Sequence, residues 1–315
     1  MSNPKQAVFL AVAALALLAG CNQQGGAELA VTSVFPGDGY HGFKNGDQIV
    51  LEFNRPVDIN SFLAAYHSSN DGLLPNQISY SAADGGKKII IQPGKPLPYS
   101  SNENYLYYSF RLDTSLTDLS GHNLKQPLSV TFTTLRSLSA TILADAAFDG
   151  VVSASLATND EESLFVGDGN DNEAVRSLWG FPWPDGMEGV VEATLRLHPV
   201  QRIGTPFIDL GLINIEPVDL GEAINLADYS SAALALAITD DRAGLMAGIT
   251  KRYNVSNFAR EAWNHGLARL DLRLRFTADS DNDGNGDYLI FYAREAETEA
   301  IRPYLSALEL TYYAP

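Results

Sequence analysis

The sequence predicts an all-β protein built from two consecutive β-sandwiches, the second carrying one short helix. Three observations lead there. Short runs of β-branched and aromatic residues recur at roughly 8–12-residue spacing between Gly, Pro, Asn and Asp turns. Several of the later runs alternate apolar and polar side chains, the mark of a strand with one face on a core and one on water. A single stretch places its apolar residues at helical spacing. The 315 residues are 45% hydrophobic and 10% aromatic, ample for two cores in a chain of this length.

The first element is a targeting segment. Lys5 supplies a positive start, Ala7 to Leu18 is uninterruptedly apolar, and small residues lead to Cys21, the only cysteine. That is the layout of a secretory signal, and its apolar run is shorter than the roughly 20 residues a spanning helix needs. Leu18-Ala19-Gly20-Cys21 resembles the lipobox of bacterial lipoproteins. The resemblance implies removal of residues 1–20, diacylglycerol on the Cys21 thiol and an acyl chain on its new amino group. At about 0.8 kcal/mol per buried CH₂, such chains anchor a protein stably. The membrane would then be a partner through the lipid only. Asn22 stands where an inner-membrane lipoprotein often has Asp, which by the same resemblance favours the outer membrane. An ordinary secretory signal would leave a lone exported thiol unexplained.

Beyond Cys21 no cysteine remains for a disulfide, and no second apolar run is long enough to span a bilayer. Thirty-eight acidic against 21 basic residues give a formal charge of −17, and Lys5 is the signal's only charge, so the processed chain is one unit more acidic. Such a chain attracts cations and has no electrostatic affinity for nucleic acid or an anionic bilayer.

Residues 21–28 form the acylated cysteine and a short polar tether. The first sandwich is expected over 29–135. Its strands include Gln48–Phe53, Lys88–Gln92, Leu106–Phe110 and Leu128–Thr133, with turns at Pro36-Gly-Asp-Gly39, Asp84-Gly-Gly86 and Ser120-Gly121. Phe35-Pro36, Leu51-Glu-Phe53-Asn-Arg55-Pro56-Val57-Asp58, Asp84-Gly-Gly-Lys-Lys-Ile-Ile-Ile-Gln-Pro93, Leu119-Ser-Gly-His-Asn-Leu124 and Phe132-Thr-Thr134 together resemble the SbsA-type bacterial Ig-like domain. The resemblance implies an N-terminal Ig-like β-sandwich acting as a spacer or surface-layer element.

The second sandwich is expected over 136–315. Val191–Leu197 and Leu270–Phe276 alternate strictly, and Tyr288–Tyr292 and Leu308–Tyr312 add strands. Val255, Phe258, Ala259, Ala262 and Trp263 form the helical stripe, with Ser256 placed to cap it and Gly266 to end it. Trp263 therefore reads as core, and Asn254-Val-Ser256 as a helix start rather than a glycan site. Ser163-Leu-Phe-Val-Gly167, Arg176-Ser-Leu-Trp-Gly-Phe181, Ala193-Thr-Leu-Arg-Leu197, Tyr253-Asn-Val-Ser256, Phe291-Tyr-Ala-Arg-Glu295, Arg302-Pro-Tyr-Leu305 and Leu310-Thr-Tyr312 occur in the order of the DNRLRE domain, which this region resembles. That implies a C-terminal jelly-roll β-sandwich related to carbohydrate-binding modules. The stretch Ile203 to Met246 matches only loosely.

The sharpest chemical signal is Asp279-Ser-Asp281-Asn-Asp283-Gly284-Asn-Gly286-Asp287. Carboxylates at alternate positions followed by glycine match the first half of a calcium loop, and hard oxygen donors suit Ca²⁺ in a structural role. Asp279, Asp281, Asp283 and Asp287 are the expected ligands. Ile290 stands where the bidentate Glu of an EF-hand would be. The same residues also suit a solvated hairpin tip. Asp168-Gly-Asn-Asp171-Asn-Glu173 is a weaker version and reads as a plain loop.

Arg176, Arg294, Arg302 and Glu295 are expected to form structural ion pairs. The five histidines show no metal spacing, and there is no nucleophile elbow, phosphate loop or dinucleotide fingerprint. The expectation is a non-enzymatic, lipid-anchored envelope protein whose head recognises a polysaccharide or surface component. An envelope protein as partner is the alternative, and a polysaccharide-cleaving enzyme a distant one, since paired carboxylates are assembled only in three dimensions. Trp179 and Trp183 are the rings to inspect for sugar stacking, against a plain packing role.

Overall fold

The computed structural model describes residues 28–101, 104–240 and 245–315; Cys21, its tether and residues 1–20 lie outside the described residues. The chain is all-β and divides into two compact units, the first ending at Arg136 and the second covering Ser137–Ala314, with Pro315 grouped with the first.

The first unit contains β1 (Val31–Phe35), β2 (Tyr40–Phe43), β3 (Ile49–Phe53), α1 (Ile59–Ala65), β4 (Tyr66–His67), β5 (Ser79–Ala83), β6 (Lys88–Gln92), β7 (Ser100–Ser101), β8 (Tyr107–Leu112) and β9 (Leu128–Thr134). One sheet runs β1-β3-β6-β5 and another β2-β9-β8-β4, with β2 and β9 parallel. Alternation decides which side chains meet between them: Ile49, Leu51 and Phe53 of β3 and Ile89 and Ile91 of β6 are buried with Phe110, Val130 and Phe132. Helix α1 differs from the sequence expectation, which places no helix in the first unit. Its seven residues are too few for a readable stripe, although Asp58 caps it by accepting the Asn60 N–H, and Phe62 and Ala65 are buried.

The second unit contains β10 (Arg136–Leu143), β11 (Asp149–Val152), β12 (Ala157–Thr158), β13 (Ser163–Asp168), β14 (Ala174–Pro182), β15 (Gly189–Leu197), β16 (Gln201–Ile203), α2 (Pro206–Asp209), β17 (Ile213–Val218), β18 (Ile238–Asp240), β19 (Lys251–Asn254), α3 (Ser256–Asn264), β20 (Arg269–Phe276), β21 (Asp287–Tyr292) and β22 (Ala307–Ala314). One sheet orders β19-β15-β22-β10, and the other β16-β21-β13-β14-β20-β17-β18 with β11 beside β14 and β12 beside β11. The sandwich core includes Leu164, Val166, Trp179, Phe181, Leu195, Leu272, Leu274, Leu289 and Phe291. Helix α3 buries Phe258, Ala259 and Ala262, as its stripe predicts. It ends in a Schellman motif, with Gly266 at φ +70°, Gly266 N–H on Trp263 O and Leu267 N–H on Ala262 O. Its start differs from expectation. Asn254 Oδ1 accepts the Ser256 N–H at 3.0 Å, while the Ser256 hydroxyl oxygen accepts the Ala193 N–H at 3.0 Å. Ser256 thus fastens the helix to β15 instead of capping it. Four-residue α2 opens on Pro206, and it too is too short for periodicity to show.

The outer face of the larger sheet is covered by its own chain. Glu216 of β17 and Arg273 of β20 stand opposite each other and pair at 2.6 Å, both buried, and Arg275 adds a contact to Glu216 at 2.8 Å. Burial pulls the Glu216 carboxyl up, but hydrogen bonds from Arg275 and Arg273 overcome it and hold it below its usual range. Arg273 also donates to the Asp228 carbonyl and the Ser231 hydroxyl, so the segment over the sheet closes a satisfied polar network. Arg294 and Arg302 both pair with Glu297, and Arg294 offers its N–H to Asp149 Oδ2 at 2.8 Å.

Two measurements follow from these buried charges. Replacing Arg273 with Met leaves Glu216 short of one partner, and urea denaturation should show a loss of about 3–5 kcal/mol; a loss under about 1 kcal/mol would mean the network adds little. Burial pushes the Asp149 carboxyl up to about 8 against the Arg294 N–H, with Glu295 raising it further and the Arg294 charge lowering it. The folded state therefore keeps a proton that the unfolded chain sheds near pH ~4. Stability falls as pH rises through that window and stops falling above the folded value. Asp271, raised by burial to about 6, contributes only to the lower part. Asp149→Asn should flatten the decline of Tm between about pH 6 and 8; an unchanged slope in the variant would be inconsistent with this assignment.

Candidate metal centre

Two acidic loops separated by more than a hundred residues meet at one end of the second unit. Strands β13 and β21 pair antiparallel from Ser163↔Tyr292 to Asp168↔Asp287. Directly opposed residues project to the same face. Leu164 with Phe291 and Val166 with Leu289 fill the core side, so Asp168 and Asp287, two positions further on, share that side at the strand ends. Only 1% of Asp168 and 4% of Asp287 is exposed. The turn after β13 is closed by Asn172 N–H on Gly169 O, and Asn172 Oδ1 accepts the Gly284 N–H at 2.9 Å, joining the two loops.

A third segment completes the cluster. The Thr205 N–H donates to Asp287 Oδ1 at 2.5 Å, and the Thr205 hydroxyl donates to Asp209. Leu210 O accepts the Ala278 N–H at 3.0 Å and the Thr277 hydroxyl at 3.1 Å, tying α2 to the start of the acidic loop. Gly204 is required here: it sits at φ +60°, and a Cβ would lie 2.2 Å from Asp287 Oδ1. Carboxylate oxygens of Asp209, Asp281 and Asp287 consequently lie within 4.8 Å of one another. Two full charges at that distance repel by about 3 kcal/mol at an effective dielectric of ~20. Burial first, and then the charges of Asp209, Asp168 and Asp281, push the Asp287 carboxyl up, against the lowering effect of the Thr205 N–H.

The four expected ligands divide. Asp281 and Asp287 join the cluster, whereas Asp279 and Asp283 face other partners. Asp279 pairs with Arg176 at 2.9 Å, and Asp283 accepts the Asn285 N–H and side-chain amide, both at 2.7 Å. The loop bends through local side-chain-to-backbone turns, with Asn282 and Gly284 at positive φ, instead of wrapping its alternate carboxylates around one point. Sequence reasoning missed Asp209, which carries no motif, and set Asp168 aside within a plain loop. The proximity of that loop to the second acidic run emerges only from the β13–β21 register.

The tryptophans singled out for sugar stacking are packed. Trp179 is 1% exposed and meets Phe291 edge to face; half-buried Trp183 donates its indole N–H to Leu267 O at 2.9 Å and packs against Trp263. Arg176 is structural, lying 3.8 Å over the Tyr229 ring as well as pairing with Asp279.

Residues 26–134 match the bacterial Ig-like domain family. The matched residues form the two four-stranded sheets of the first unit and its core. Among solved structures, the chain is similar to the N-terminal part of the bacterial S-layer protein SbsC, with 12% identity, 73% of this chain and 41% of that one covered, and a TM-score of 0.26. It is also similar to E. coli alpha-2-macroglobulin, with 13% identity, 79% and 13% coverage and a TM-score of 0.29. A third is SGBP-B from a complex xyloglucan utilization locus in Bacteroides uniformis, with 7% identity, 91% and 73% coverage and a TM-score of 0.22. The chain spans less than half the length of the first two. No curated protein matches the chain. Among the described residues, no helix is long and apolar enough to cross a membrane.

The geometry at Gly204 makes a separable prediction. Gly204→Ala meets both a positive φ and the Asp287 carboxylate, whereas Gly221→Ala meets φ +61° with open space. Gly221→Ala should cost about 1 kcal/mol in chemical denaturation, the backbone strain alone, and Gly204→Ala clearly more. Equal losses would show that the Asp287 side chain is free to move away.

Proposed function

We propose that this protein is a lipid-anchored, non-catalytic component of the bacterial cell envelope, whose Ig-like unit separates the lipid from a β-sandwich head that recognises a polysaccharide or another surface component. The observation that carries this reading is the Ig-like family match over residues 26–134, directly after the lipobox-like Leu-Ala-Gly-Cys21. Anchor, spacer and head then follow one another in the chain. The polysaccharide part rests on the resemblance of the second region to the DNRLRE domain; fold resemblance alone does not carry a ligand with it. The outer membrane is favoured by Asn22.

A protein partner is the second reading, and a specific observation favours it. Trp179 is buried, and half-buried Trp183 is held by Leu267 and Trp263, so both rings inspected for sugar stacking serve packing.

Anchoring and recognition are tested separately. Cys21→Ala should abolish incorporation of a labelled fatty acid and move the protein from the membrane to the soluble fraction; a variant that stays membrane-bound would contradict the lipid anchor. The soluble 22–315 chain on a polysaccharide array, with and without calcium, should bind at least one glycan. Binding to none in either condition would remove the polysaccharide reading and leave the envelope-protein partner.

A further inference from the structure

We propose that Asp168, Asp209, Asp281 and Asp287 hold one calcium ion, which fastens three segments of the head together: the turn after β13, the α2 segment and the acidic loop before β21. The inference does not depend on what the head binds. It differs from the loop motif, whose alternate carboxylates would hold a cation among themselves.

Three observations converge. Oxygens from Asp209, Asp281 and Asp287 lie within 4.8 Å of one another, although they come from two segments more than seventy residues apart. Asp168, opposite Asp287 across the strand pair, is 1% exposed, and both its carboxylate oxygens are buried without a hydrogen-bond partner. Buried carboxylates are ordinarily satisfied, and an orphaned one beside further carboxylates calls for a cation. Finally, none of the four is paired with a basic side chain among the described residues, while the neighbouring Asp279 is paired with Arg176.

Hydrogen bonds from neighbouring donors hold these carboxylates in place without a cation. Thr205 grips Asp287 through its N–H and Asp209 through its hydroxyl, and the Asp283 N–H holds Asp281 Oδ1 at 3.1 Å. An all-oxygen, anionic set drawn from irregular segments suits Ca²⁺, which accepts six to eight oxygens in flexible geometry, better than Mg²⁺, which demands a near-ideal octahedron. Water would complete the shell.

The test uses the processed chain freed of metal by chelator, then titrated with calcium chloride by calorimetry and followed by thermal melting. Wild type should bind about one calcium per chain and its Tm should rise, because a ligand of the native state must raise it. Asp209→Asn, which lies outside the loop motif, should weaken binding by about tenfold or more. Asp283→Asn should bind as wild type does. Asp168→Asn should melt no lower than wild type without metal, since it removes a buried unpaired charge, and should lose the calcium-dependent rise. No heat and no Tm change in wild type at millimolar calcium would overturn the proposal. So would wild-type binding by Asp209→Asn together with loss in Asp283→Asn, which would place the ion in the loop alone. A lower metal-free Tm for Asp168→Asn with the calcium shift intact would overturn the part assigned to Asp168.

Discussion

The end of the head is organised by one register, the pairing of β13 with β21 that sets Asp168 opposite Asp287. Strand periodicity leaves no freedom once Leu164, Val166, Leu289 and Phe291 are committed to the core. The next residues on that side must be the two aspartates. A slip of one residue would expose the whole apolar set, so the core enforces a juxtaposition of charges that electrostatics alone would forbid. Thr205, Asp209 and Gly204 are then shaped around Asp287, and the 279–287 loop closes against Asn172.

The opposite solution appears on the outer face of the same sheet. There the buried charges come in both signs, with Glu216 between Arg273 and Arg275, and Arg176 between Tyr229 and Asp279. Arg176 connects the two regions: by taking Asp279, it draws the start of the acidic loop onto the sheet face and leaves the later carboxylates at the sandwich end. Apolar packing thus fixes the strands, paired charges fix the segment covering them, and Asp168, Asp209, Asp281 and Asp287 gather where three segments meet.

Much of this was legible in the residues. Alternation in Leu270–Phe276 marks a strand that forms, although both of its faces are buried because paired charges and a covering segment replace the water expected on the polar side. The short apolar run in Lys88–Gln92 marks another. Helix α3 writes its 3.6-residue stripe and its glycine stop. Short α1 and α2 wrote neither, having too few turns to show a period. At the candidate site, Asp281 and Asp287 were visible through spacing, while Asp168 and Asp209 were not, since their relevance comes from tertiary register and from a threonine that holds two carboxylates at once. Trp179 and Trp183 show the converse: conspicuous in sequence, they serve the interior.

The head is therefore best understood as a sandwich whose core packing has created a charged seam that a cation would close. Crystals of the processed protein grown with calcium, with data collected at a wavelength where calcium scatters anomalously, test this most directly. The account predicts one anomalous peak bounded by the carboxylates of Asp168, Asp209, Asp281 and Asp287. A peak held by Asp279, Asp281 and Asp283 within their own loop, or a calcium-free cluster with the carboxyl groups hydrogen-bonded to each other through shared protons, would contradict it.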